Sequence, residues 1–200
     1  RPIFLPIGQG LNSPRDAVTN IRKKTTTPRV TILGTAEGDA WLRYLERIPR
    51  KDITHYPAFA QVYERYGDGA AECFVYEEGE LQVLYPYIKR PISAALGPDT
   101  EGLYDIVNPY CYGGFIHNAS TESQAKPLLA AFRREFEEHA ANERIISEFI
   151  RFHPVLANHS YCDGLLDLRL YCDNVVIDLR RSYEELFRDC RERFRTYIRQ

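Results

Sequence analysis

This chain of 200 residues has no run of about eighteen consecutive apolar residues, the length a helix needs to cross a membrane. Its first residues, Arg1-Pro-Ile-Phe-Leu-Pro-Ile-Gly8, hold a short apolar stretch but no signal-peptide core. It also lacks an excess of one charge. With 26 Lys and Arg against 28 Asp and Glu, the net charge is −2, which speaks against broad nucleic-acid affinity. Cysteine is sparse: Cys73, Cys111, Cys162, Cys172 and Cys190 are widely spaced and form no C-x-x-C pair. A zinc knuckle or dithiol motif is therefore not expected, and reduced thiols in a cytoplasmic protein are the plain reading. There is no Walker loop, no Gly-x-Ser-x-Gly elbow around Ser123 or Ser160, and no pair of histidines at the spacing of a zinc protease. Asp163, Asp167 and Asp173 lack EF-hand spacing, so no metal site is expected.

What is present reads as one α+β domain with flanking pieces. The hydrophobic fraction of 44% and charged fraction of 27% are ordinary for a globular protein with a sizeable core. Residues 1–28, with four prolines and a Thr25-Thr-Thr27 run, read as an N-terminal arm. Residues 29–181 read as the folded domain and 182–200 as a C-terminal amphipathic helix. Val30–Leu33 is β-branched and short, as a strand would be. Trp41, Leu45 and Ile48 fall at helical spacing, ended by Pro49. Pro57–Tyr66 reads as a second helix, opened by its proline and stopped by Gly67-Asp-Gly69. Residues 72–76 and 81–85 flank Glu77-Glu-Gly-Glu80 as a hairpin, and Pro86 and Pro91 mark its second strand as an edge or a bulge. A strand from Leu103, a helix from Ser120 to about Asn142 (its regular part expected from Pro127) and a strand over 145–152 follow. A second hairpin is expected from 165–171 and 175–179 across Cys172-Asp-Asn174. Ser182-x-x-Glu185 is a capping box opening one last helix through Leu186, Phe187, Cys190, Phe194, Tyr197 and Ile198.

Two stretches carry candidate chemistry. The turn Tyr110-Cys-Tyr-Gly-Gly114 combines glycines, which let backbone approach a ligand, with tyrosines, which offer flat faces and hydroxyls. It reads either as a binding loop or as a β-bulge with tyrosines packed on the core. In Glu148-Phe-Ile-Arg-Phe-His-Pro154, strand parity puts Arg151 and His153 on one face and Glu148 on the other. Arg151 suits a carboxylate or phosphate and His153 a proton. The plainer alternative pairs Arg151 with a local carboxylate and uses His153 to cap the strand end. His117-Asn118 and Asn158-His159 read as solvated loop residues.

These blocks, in the order strand, Tyr-x-Tyr-Gly-Gly turn, helix, Glu-Phe-Ile-Arg-Phe-His-Pro strand, resemble the first half of the Fem-type (FemABX-like) aminoacyl and acyl transferases. That family is built from tandem domains of the GNAT (Gcn5-related N-acetyltransferase) fold. The likeness extends loosely from Trp41 to the C-terminus. It implies a GNAT-like mixed, mainly antiparallel central sheet flanked by helices. It also implies an acyltransferase, here the acceptor-binding half, that moves an acyl group from acyl-CoA or aminoacyl-tRNA to a small-molecule amine. Tyr112 and His153 would then act in catalysis, and Tyr110, Gly113, Gly114, Glu148 and Arg151 in substrate binding. The last helix would lead to a second GNAT domain or to a homodimer contact, and tRNA would be the one nucleic-acid partner. One departure matters. The family's Gly-x-Gly phosphate loop ahead of the helix is replaced by Phe115-Ile-His-Asn-Ala-Ser-Thr-Glu-Ser-Gln-Ala-Lys-Pro127, without a glycine pair. This implies that the chain does not hold coenzyme A in the usual way. It also keeps a non-catalytic GNAT-like scaffold open as the rival reading.

Overall fold

Alternating burial along two central strands organises the molecule, a computed structural model that describes residues 27–93 and 97–198. In β2 (Ala70–Glu78) and β3 (Leu81–Pro91), Phe74, Tyr76, Val83, Tyr85 and Tyr87 face one side of the sheet; Cys73, Val75, Leu84 and Ile88 face the other. Both rows are buried, so both faces need a cover. Helices α1 (Gly38–Glu46) and α2 (Pro57–Tyr66) cover one through Trp41, Leu45 and Ala60. Helix α3 (Glu122–Asn142) covers the other through Leu128, Leu129, Phe132 and Phe136.

The sheet runs β1 (Arg29–Gly34), β2, β3, β4 (Tyr104–Val107), β6 (Ile145–Phe149), with the short β5 (Ile116–His117) paired to β3 beside β4. The fold is thus α+β, a mixed, mostly antiparallel open sheet flanked by helices. Among the described strands only β4 and β6 pair in parallel, joined by a crossover through α3. Local chemistry sets the ends of α2. Pro57 stands at its first turn, and Gly67, at φ 96°, closes it with its N–H shared between the Tyr63 and Glu64 carbonyls at 3.2 and 3.1 Å. The β2–β3 hairpin turns through Gly79, also at positive φ, and Glu80.

Several expectations need correction. Pro86 lies inside a central strand, not on an edge; its missing N–H is tolerated because pairing on that side of β3 stops with β5 at Leu84 and resumes with β4 at Ile88. Helix α3 starts at Glu122 and is regular before Pro127, which stands inside it. Strand β6 ends at Phe149, three residues early. The hairpin over 165–179 does not form: Leu165, Leu166 and Leu168 pack on the core while Leu170, Tyr171, Val175 and Leu179 are exposed. The last helix is two, α4 (Tyr183–Asp189) and α5 (Glu192–Ile198), broken where Cys190 takes an extended backbone. The Ser182–Glu185 capping box is present, Ser182 accepting from the Glu185 N–H. The arm expected over 1–28 lies, up to Thr26, outside the described residues. No described helix is long and apolar enough to cross a membrane.

Candidate functional site

Two adjacent parallel strands send the chain out at the same end of the sheet, and both candidate segments leave from there. Val107 ends β4 and leads into Asn108–Gly114; Phe149 ends β6 and leads into Ile150–Asn158. The segments meet. The Gly113 N–H donates to the Arg151 carbonyl at 2.9 Å, and Gly113 bridges Phe152. Two asparagines stitch the junction. Asn108 Oδ1 accepts from the Arg151 N–H at 2.8 Å. Asn158 Nδ2 donates to the carbonyls of Gly113 and Phe115 at 2.8 and 3.0 Å, and its Oδ1 accepts from the His153 N–H at 2.9 Å. Asn158 is therefore a clasp, which corrects the solvated-loop reading. Asn118 is another: it bridges Gln82 N–H and the Glu80 carbonyl.

The two glycines serve this packing. A side chain on Gly113 would run into the Asn108 amide, and Gly114, at φ 88°, would press a Cβ to 3.0 Å from Ile150 and Phe152. With Gly113's N–H engaged, Gly114's is the one without a hydrogen-bond acceptor among the described residues. Tyr110 and Cys111 precede them at φ 21° and 65°, both in the left-handed region that L residues seldom occupy. This holds the Tyr110 ring, 67% exposed, parallel to Tyr63 of α2 at 5.6 Å. Tyr112 lies half-buried, its ring 5.9 Å from His153 and its hydroxyl 2.5 Å from Asn174 Oδ1, to which it donates.

His153 is wired on both nitrogens. Nδ1 accepts from the Val155 and Leu156 N–H groups, each at 3.2 Å, so the proton resides on Nε2, which donates to Asp52 Oδ2 at 2.7 Å. It caps the turn that follows and ties it to the link between α1 and α2, with no ring nitrogen left to shuttle a proton. Burial pushes the Asp52 carboxyl up, but the Ile53 N–H and His153 outweigh it and hold the carboxyl below its usual range. The same link buries His55 completely. Desolvation drives its pKa down to about 4, and its Nε2 makes no hydrogen bond.

Of the other two predicted site residues, Arg151 joins the junction through its backbone and Glu148 does not. Glu148 lies on the α3 side, held by Arg133 through two bonds at 3.0 and 2.9 Å and by the Tyr85 hydroxyl at 2.8 Å. It faces the core and not the junction with His153. Arg151 presents an exposed side chain whose guanidinium bonds no described residue. Asp52, Tyr63 and Asn108 were not picked out from the sequence. Asp52-Ile-Thr-His55 does carry a signal, a helix-capping pattern before Pro57 with a titratable side chain at either end.

One open hollow adjoins the turn: about 540 Å³, it is lined by Val62, Tyr63, Arg65, Tyr66, Asp68 and Tyr110. A second, about 500 Å³, shares Asp68 with it and is otherwise lined by Arg90, Asp105, Ser147 and their neighbours, away from the turn. Neither includes Tyr112 or His153.

Fold and site together define an α+β protein of helix–sheet–helix layers with a stitched turn beyond its parallel strand pair. Compared with known proteins, the chain matches no family model, no curated protein and no solved structure.

Proposed function

We propose that the chain is a GNAT-like domain of the Fem type that shapes the acceptor side of an acyl transfer to an amine. The observation that carries this is the placement of both candidate turns beyond the carboxyl ends of the one parallel pair described, the place where open sheets bind ligands. The order of strands and helices, with α3 crossing between parallel neighbours, agrees with the resemblance in the sequence.

The reaction would form a bond between the amine nitrogen and the acyl carbon. It would break the bond from that carbon to the thiol or ribose oxygen of the donor, which leaves and takes up a proton. The nitrogen must lose a proton, and the tetrahedral oxygen needs donors. Tyr112 is the side chain to relay the proton, and Gly114 carries the uncommitted N–H. Asp52 and His153 act as positioning residues that hold the turn. Arg151 is free to meet an anionic substrate group.

The test is direct. The protein at its full native length is incubated with acetyl-CoA or aminoacyl-tRNA and a panel of primary amines, and amide is measured by mass spectrometry. Amide should form, and Tyr112→Phe should lower kcat tenfold or more with little change in KM. Failure of both donors, or an unchanged Tyr112→Phe enzyme, would discard the transferase reading. The rival, a non-catalytic scaffold, is favoured by the engaged Gly113 N–H and by an α3 start at Thr121-Glu122 that offers no glycine pair for a pyrophosphate.

A further inference from the structure

We infer that the hollow between α2 and the Tyr110 turn binds an organic ammonium ion carried on a flat apolar body. The inference deepens the reading above, on which it rests only for the claim that this ammonium belongs to the acceptor.

The hollow, about 540 Å³, is within the range of small-molecule sites. Its wall is the parallel Tyr63–Tyr110 stack, extended by Tyr66 and Val62. Tyr110 owes its position to two successive residues at positive φ, yet its ring is laid on another ring and left mostly in water. Core packing does not account for that strain. A ligand seated against the stack would, since strained backbone gathers where it holds a binding group in place.

The charge pattern selects the ligand. Asp68 lines both hollows; no hydrogen bond from a described side chain ties its carboxylate down, and its charge acts on Arg90 across the second hollow. Arg90, in the lining of the second hollow, is held by Asp105 through bonds of 2.9 and 2.6 Å. Tyrosine faces carry negative potential and attract cations, most strongly organic ones that shed water readily. Arg65 is the one cation in the lining. It sits exposed at the end of α2, where its long side chain can turn to solvent. Three tyrosine rings and a carboxylate against one exposed guanidinium favour a cation, and the flat Tyr63–Tyr110 stack favours a ring or planar chain as its carrier.

The experiment is calorimetry on the chain with three probes of one shape: 2-phenylethylamine, 2-phenylethanol and 3-phenylpropanoate. The amine should bind at least tenfold tighter than the alcohol and the acid. Asp68→Asn and Tyr110→Ala should each weaken it tenfold or more while circular dichroism and the melting transition are retained. Equal affinity for the alcohol, preference for the acid, no binding of the amine, or unchanged binding in a folded Asp68→Asn protein would overturn the inference. The two readings fail separately. Amine binding of the expected pattern without amide formation removes the transferase and keeps the site. Amide formation at full rate in both variants keeps the transferase and removes this hollow as its acceptor site.

Discussion

Glu148 shows how much one residue depends on its partner. Its carboxylate takes both bonds from Arg133 and one from Tyr85, and the two charged side chains are only 17% and 8% exposed. Arg133 Nε is buried without a partner, and beyond Glu148 the cation has only Glu137 at 3.7 Å and the Phe136 ring at 5.2 Å. Glu148→Gln therefore leaves a buried guanidinium with its weaker partners alone and should cost about 3 kcal/mol in urea unfolding. The double change Arg133→Met with Glu148→Leu should recover most of the loss, because it removes both desolvation costs at once. Additive losses in the cycle would show that the two side chains act independently. Strand parity set Glu148 on the face opposite His153, but β6 ends at Phe149 and the alternation does not reach His153. What parity does not reveal is the partner behind that face. Arg133 follows Phe132 and precedes Phe136 by one turn, a charge on the buried side of a helix, and that was the one hint that an acid must meet it.

At the scale of elements, the short turn Ile53–His55 between α1 and α2 holds a buried neutral imidazole at one end and the Asp52–His153 bond at the other. The sign of its pH response follows from desolvation. His55 titrates at about 4 when folded and near its ordinary 6.5 when unfolded. Between those values the unfolded chain takes up a proton that the folded chain refuses, so stability is intact above 6.5, falls as pH drops, and levels off below about 4. His117 and His139, also lowered by burial, add the same sign. Asp52, held low, adds a further loss only as pH falls below the usual carboxylate range. Going from pH 7 to pH 5 should cost about 2 kcal/mol through His55, read from urea midpoints, and His55→Gln should flatten that slope. An unchanged slope would mean that the imidazole is not buried neutral. Elements governed by local chemistry were legible in the sequence. Pro57 and Gly67 bound α2 at the residues expected, and the 72–85 hairpin and the Ser182 cap are present. The Asp52–His153 bond was not, since it joins residues 101 apart in sequence.

The whole molecule leaves one piece of its pattern unused. Leu166, Leu168 and Leu170, then Val175, Ile177 and Leu179, alternate with polar or smaller neighbours as two amphipathic strands would, yet no ladder forms there. A lone hairpin is marginal in water and needs a sheet to join. Here Leu165, Leu166 and Leu168 dock on the α3-side core and Tyr112 holds Asn174, so the segment runs over the surface apart from the sheet. Its backbone makes few hydrogen bonds, and Leu170, Tyr171 and Val175 are 90–93% exposed. Opening it for cleavage thus disturbs almost nothing buried. Arg169 and Arg180 are held only by surface pairs to Asp167 and Asp178, which protect little. Brief trypsin treatment should therefore cut first after Arg169, Arg180 or Arg181 among the sites between residues 27 and 198, well before Arg43 or Arg65 on α1 and α2. Fragment masses read the order. Early loss of these bonds fits the exposed course seen here, whereas resistance at all three, with cleavage in α1 or α2 first, would mean that the 165–179 pattern is consumed in solution by pairing with a sheet edge.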